Sequence, residues 1–372
     1  MTNSSIKRIG FACKYMHSDQ TQPKKLLEEI QRPLNTKSTT VQWLNRQTKE
    51  VAEQRLWDIM EHNIAAYGRL IEYVGSLPEG LRMVRLGSDC LPVYTQQDWR
   101  YYWRLPDVRA YAEREFAKVG ETARRLDVRL SMHPGQFTVL ASTDPGIVER
   151  SIEEFEYHTD MVRWMGYGKS FQDFKINVHI SGRQGPDGIK AALKLLTPEA
   201  RNCITIENDE NCWGIESSLE LVNDCALVLD VHHHWCREGE YIQPNDDRFK
   251  RVIDSWRGVR PAMHYSYSRD TALPEGFAHD SMLHFPDLLE AGHKKAKLRA
   301  HSDWYPNAQV NDWALSFLPY TDIMLESKMK NLAMIELYNY ANSRTDINSR
   351  INQQSDVRQS THRTDAKAFV IA

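Results

Sequence analysis

Seven side chains able to donate a lone pair to a cation fall at or just past the ends of six short apolar runs: His133, His179, Glu207, Asp230, His233, His264 and Glu326. A mixture of imidazole and carboxylate suits zinc, manganese or iron, whereas magnesium and calcium favour oxygen alone. Each position also has a plainer reading. His133 could be a satisfied buried histidine, Glu207 a solvated carboxylate, Asp230 a helix cap, and His232-His233-His234 mere surface. Recurrence at one strand end after another favours the metal reading, because carboxylates brought together without cations repel one another. Within Asp230-Val231-His232-His233 a carboxylate stands three residues before an imidazole, a spacing that can serve neighbouring ions. Several ions together imply hydrolysis of an anionic ester, since they lower the pKa of a water and steady the attacking and leaving oxygens at phosphorus.

Elements that deliver these residues are visible as apolar runs separated by helical periodicity. The expected strands are Ile6–Cys13, Met83–Leu86, Val128–His133, Phe174–Ile180, Cys203–Glu207, Ala226–Val231, Val259–His264 and Thr321–Glu326. Between them, 3.6-residue spacing predicts helices over Val41–Val74, Val108–Leu126 and Gly146–Met165. Eight strands alternating with helices predict an α/β fold, a single (β/α)8 barrel whose strands send their carboxyl ends to one rim. Two additions depart from a minimal barrel. Ser266–Arg299 is a long insertion after the seventh strand, carrying His279, His284, His293 and the basic run Lys294–Arg299. The barrel domain is expected to span residues 1–341, with residues 342–372 a polar tail poor in apolar residues.

At the end of the third strand, Pro134-Gly135 predicts a sharp exit that projects Gln136 and Phe137 beyond His133. Bulk composition limits what this site can serve. With 41% hydrophobic and 26% charged residues, the 372-residue chain reads as a globular protein able to bury a large core. No apolar run is long enough for a membrane span, and the first residues lack an apolar signal core, so an intracellular, cytoplasmic protein without membrane partners is expected. Six scattered cysteines with no C-x-x-C pair argue against a zinc knuckle or a disulfide framework; Cys13 and Cys203 read as strand residues. The formal net charge of −3 means that a nucleic-acid partner must be held by a local patch or by bound cations. No Walker A loop, G-x-S-x-G elbow or dinucleotide fingerprint is present, so no nucleotide cofactor is expected.

The motifs together resemble the ultraviolet damage endonucleases, barrel enzymes related in fold to endonuclease IV. The carriers are Arg85-Leu86-Gly87, Leu130–Gln136, Asn177–Gly182, Ile206–Glu210, Asp230-x-x-His233-His234, Arg260-Pro261-x-x-His264, Arg299–Asp303 and Met324-Leu325-Glu326-x-Lys328. The resemblance implies an enzyme, a phosphodiester hydrolase that nicks damaged double-stranded DNA on the 5′ side of a lesion with two or three divalent ions. Manganese is the expected ion, with zinc or magnesium as alternatives. It implies Glu207 as the bridging carboxylate, with His133 and His179 on one ion, Asp230, His264 and Glu326 on a second, and His233 with His301 on a third. Glu207 and His233 become the catalytic pair, and Asp89 falls where some relatives carry a further histidine ligand.

Gln136 and Phe137 match a Gln-Tyr pair that probes the duplex, and Phe11 and Tyr15 fall among the expected substrate contacts. Phe11 and Phe137 lack the hydroxyl of their counterparts, and Ala262 stands where relatives have a metal-site lysine. A monomer is expected. Two other readings share the same residues: a sugar isomerase or epimerase of the xylose-isomerase type, and a lesion-binding protein that has lost turnover.

Overall fold

The computed structural model describes residues 6–269 and 281–344. Part of the insertion, including His279, and residues 345–372 of the expected tail lie outside them. Eight parallel strands form one sheet: β1 (Ile9–Ala12), β2 (Met83–Arg85), β3 (Arg129–Met132), β4 (Lys175–His179), β5 (Ile204–Glu207), β6 (Ala226–Val228), β7 (Ala262–Tyr265) and β8 (Asp322–Leu325). Their order is β6-β5-β4-β3-β2-β1-β8-β7. The remaining gap between β6 and β7 is spanned by a parallel bridge between Asp230 and His264, with the His264 amide donating to the Leu229 carbonyl at 2.9 Å. The expected barrel is present.

Each strand is shorter than its apolar run. A residue at a strand end stays apolar while its backbone has already left the ladder, so pattern overshoots hydrogen bonding. Cys203 closes the helix Pro198–Cys203 instead of opening β5. Cys13 sits just past β1 with φ of +73°, and every described cysteine is free. The expected helix from Val41 to Val74 is two helices, Val41–Leu44 and Lys49–Gly75. Thr48 separates them because its side chain caps the second, accepting from the Val51 amide at 3.4 Å. At the other end of the chain a helix over residues 330–344 runs past the expected domain boundary at 341.

Period two divides each strand between two environments. On β4, Ile176 and Val178 join the apolar layer under the helices, while Lys175, Asn177 and His179 face the barrel axis. On β5, Thr205 and Glu207 face inward between Ile204 and Ile206. A small second apolar cluster of Ala12, Met83, Ala226, Val228, Ala262 and Met324, closed by Trp256, fills the interior lower down. The same rule corrects the expectation for Phe11. It lies on the outward side of β1, paired with Val84 and Leu325 and fully buried under the helices, so it cannot touch a substrate.

The described part of the insertion is packed. Phe285, Leu288 and Leu298 are buried, Phe285 meets Trp235 edge-to-face at 4.8 Å, and an antiparallel bridge joins Ser268 to His301.

Candidate metal centre

Glu207 ends β5 with its side chain almost wholly buried, ringed by imidazoles. His133 Nε2 lies 3.6 Å and His179 Nε2 3.7 Å from its Oε2; His233 Nδ1 lies 3.5 Å and His264 Nδ1 3.0 Å from its Oε1. Asn177 donates to Oε2 as well, and its orientation is fixed because the Thr205 hydroxyl donates to its Oδ1 at 2.7 Å. Glu326, just past β8, pairs with Arg85 and lies 3.5 Å from His264 Nδ1.

Three of the histidines share an arrangement that predisposes them to bind a cation. His133 Nδ1–H donates to the Pro134 carbonyl at 2.7 Å, His179 Nδ1–H to Asp209 at 3.0 Å and His233 Nδ1–H to the Asn208 carbonyl at 3.0 Å. Each oxygen selects the tautomer with a bare Nε2, the nitrogen a metal needs. Asp209 is itself held by a tight turn, its Oδ1 accepting from the Asn211 and Cys212 amides at 2.7 Å. The loops after β3 and β4 are pressed together at Gly182, whose φ is +98° and whose missing Cβ would strike the Ala141 backbone. Only glycine meets both demands.

Asp230 fulfils both readings of its sequence position. Its Oδ1 caps the helix Val231–Glu238, accepting from the His232 and His233 amides at 2.8 and 2.7 Å. Its Oδ2 is buried without a hydrogen-bond partner. An unmatched buried carboxylate oxygen is costly. It lies 3.9 Å from His233 Nε2, where a cation could satisfy both. Burial raises the Asp230 pKa, aided by Glu207 and Glu326; burial opposes protonation of His233, but Asp230, Glu207 and Glu210 outweigh it and raise that pKa too. Neighbouring carboxylates contribute to both shifts, adding to burial at Asp230 and opposing it at His233. Glu207 and Glu326 are held well below the usual carboxylate range despite burial, the first chiefly by His264 and His179, the second by Arg85 and His264. The donor set, the free nitrogens and the orphaned oxygen fit divalent ions.

Four groups place one donor atom from each member within 4.8 Å of the others: His133, His179 and Glu207; Glu207, Asp230 and His233; Asp230, His264 and Glu326; and His179, Glu210 and His233. The structure therefore brings together seven of the nine expected ligands. His301 joins no such group among the described residues, although it lines the same mouth and its Nδ1–H donates to the Glu326 carbonyl at 3.1 Å. Asp89 is exposed and likewise belongs to none.

His232 and His234 are buried, not surface, and turn away toward Ser268 and Glu240 at 3.2 and 3.0 Å. Three site residues had no assigned role in the sequence: Glu210, Arg85, and Lys175, whose Nζ lies 2.9 Å from His264 Nε2. Burial pushes the Lys175 pKa down to about 7. Its inward position follows from alternation with Ile176 once His179 is known to face the axis.

The mouth opens into a cavity of about 500 Å³ lined by Arg85, His133, Gln136, His179, Glu210 and His233 among others. A larger hollow of about 690 Å³ adjoins the same turn near Arg100 and Arg150 but lacks the ligating histidines. Between them stands the turn Gly135–Thr138, closed by a 2.9 Å hydrogen bond from the Thr138 amide to the Gly135 carbonyl. It lifts Phe137 until 85% of its surface is exposed, with Gln136 beside it. Tyr15 is half-buried against Tyr73 at 4.9 Å, away from the cavity lining.

Residues 7–356 match the family model described as UV-endonuclease UvdE. The chain is 24% identical to the UV-damage endonuclease of Schizosaccharomyces pombe over 344 residues, covering 89% of this chain and 50% of that protein. It is also 24% identical to the UV DNA damage endonuclease of Bacillus velezensis over 315 residues, covering 81% of this chain and 87% of the relative. In fold it is similar to the crystal structure of SacUVDE, with a TM-score of 0.67 at 18% identity, covering 91% of this chain and 99% of that one. Among the described residues no helix is long and apolar enough to cross a membrane.

Proposed function

Since the chain belongs to the UV-endonuclease UvdE family, we propose that it is a metal-dependent endonuclease acting on damaged double-stranded DNA, cutting on the 5′ side of ultraviolet photoproducts. The observation that carries this reading is the set of bare Nε2 atoms on His133, His179 and His233 around Glu207, beside the orphaned Asp230 Oδ2. Two or three divalent ions, manganese first on the family resemblance and ahead of magnesium because imidazole ligands are prominent, would be held by His133, His179 and Glu207, by Asp230, His264 and Glu326, and beside His233. When bound, such ions supply the positive charge and the acidified water that phosphodiester hydrolysis needs.

The chain's own residues orient and exclude. Glu207 stands between the His133–His179 pair and Asp230 and lies 3.0 Å from His264 Nδ1, and Asn177, fixed by Thr205, keeps it from rotating. Arg85 holds Glu326 in place. Gln136 and Phe137 stand where a duplex laid across the mouth would be entered, and a lesion that has already weakened stacking costs less to open. With a net charge of −3, attraction to phosphate depends on the ions more than on the protein surface. The protein acts as a monomer inside the cell and consumes no nucleotide. Incubation of the manganese-loaded protein with irradiated supercoiled plasmid tests the reading. Relaxation of irradiated but not intact plasmid, abolished by chelator, is expected. Intact irradiated plasmid at saturating manganese would overturn it, and binding without nicking would leave a lesion-binding protein.

A further inference from the structure

We propose that Glu210 is a metal ligand, and that the outer ion of the centre is held by Glu210 with His233 and not by His233 with His301. This deepens the reading above. Glu210 Oε2 and His233 Nε2 are 3.7 Å apart, too far for a hydrogen bond and within the span of up to about 4 Å that two donors keep around one ion. With its Nδ1–H committed to Asn208, His233 has Nε2 as the nitrogen it can offer to a cation. The other Glu210 oxygen is occupied, accepting from Asn211 at 2.7 Å and facing Arg299 Nε at 3.9 Å. Oε2 is left turned to the mouth.

His179 supplies the third donor of this group, but its single bare nitrogen also serves His133 and Glu207. It can complete one ion at a time. The outer ion therefore has Glu210 as its own ligand and His233, which also faces Asp230 Oδ2 at 3.9 Å, while Ala262, small and inward on β7, adds none. It should be the weakest held. Arg299, from the insertion, competes with it: a guanidinium beside Glu210 opposes a cation there by the same charge that pairs the carboxylate. Insertion and outer ion are thereby coupled.

The test is a manganese titration of the metal-free full-length protein without DNA, read by calorimetry, with bound metal counted by elemental analysis after gel filtration. The parent should show two tight steps and one weaker third. Glu210→Gln should lose the third step and keep the first two; Glu210→Asp, which retains the charge on a shorter arm, should weaken the same step and keeps the test readable if the amide variant folds poorly. Arg299→Gln should tighten it by roughly two- to fivefold, the worth of one partly exposed pair, and His301→Gln should leave it in place. A parent that takes up only two ions, a Glu210→Gln protein with the parental third step, or loss of that step in His301→Gln would each overturn the assignment. Nicking plays no part in the readout, so absent nicking with an intact three-step titration would defeat the nuclease reading alone.

Discussion

β8 carries an inward carboxylate near each end, and their surroundings are opposite. Asp322 opens the strand at the floor of the barrel, where its Oδ1 accepts from the Arg8 amide at 2.9 Å and Arg260 Nε at 2.6 Å, and its Oδ2 from Arg129 at 2.6 Å. Arg129 and Arg260 also donate to the carbonyls of Pro261, Arg260, Leu318 and Thr321. Both oxygens of the Asp322 carboxylate are thus satisfied by fixed donors. Glu326, four residues on at the mouth, has one guanidinium partner, imidazoles on its other sides, and Asp230 nearby with an oxygen that nothing satisfies. One fold thus shows what charge looks like when its task is to hold strands together and when it is kept available. Permanent cations close the floor, whereas exchangeable ligands leave the mouth able to accept something else.

The contrast would break most sharply at Glu207. Glu207→Gln should lower both inner ions' occupancy and cut nicking about a thousandfold, the upper range for removing one electrostatic stabiliser; metal analysis beside plasmid relaxation checks it, and parental metal content would remove Glu207 from the ligand set. At the floor, Asp322→Asn should cost about 3 kcal/mol of unfolding free energy by stranding two arginines, the low end for a broken buried pair because both guanidiniums partly reach water. Urea denaturation measures it, and metal content should not change. Phe137→Ala should leave metal and fold alone and weaken affinity for irradiated duplex roughly ten- to a hundredfold, set by about 1–3 kcal/mol of lost stacking. Equal discrimination by parent and variant would exclude the wedge.

The smallest effect supplies a control away from both ends. His158, buried in the helix Pro145–Trp164, has its pKa pushed down to about 4 by burial. The native state keeps it neutral while the unfolded chain takes up a proton below about pH 6.5. Stability is therefore lost as pH falls through that value and continues to fall toward pH 4. By pH 5.5 the loss is about 1 kcal/mol. His158→Gln should flatten this part of the metal-free protein's pH–stability curve; an unchanged slope would assign the loss to other groups.

Much of this was legible in the sequence for a simple reason. Strands end where apolar alternation ends, and a barrel delivers every such end to one rim, so residue type plus position named seven of the residues that now cluster. Lys175 and Arg85 were not legible, because alternation says that two faces exist without saying which faces the axis until the sheet closes. Phe11 was placed at the substrate by resemblance, and the register of β1 turns it outward under the helices instead. Glu210 was hidden for a different reason: it lies in a loop whose course depends on the Asp209 turn, and no periodicity reports a loop's path. Asp89 and His301 were located by resemblance, which carries sequence position but not the direction of a side chain.

The barrel is joined between β6 and β7 by the Asp230–His264 bridge, so its thinnest seam runs through two candidate ligands. An ion shared by Asp230, His264 and Glu326 would act as a clasp across that seam, making closure of the cylinder depend on occupancy. Local opening should then be fastest there in the metal-free protein, and manganese should slow deuterium uptake at the His264 amide far more than at the Ile323 amide, which donates to Arg8 on the floor.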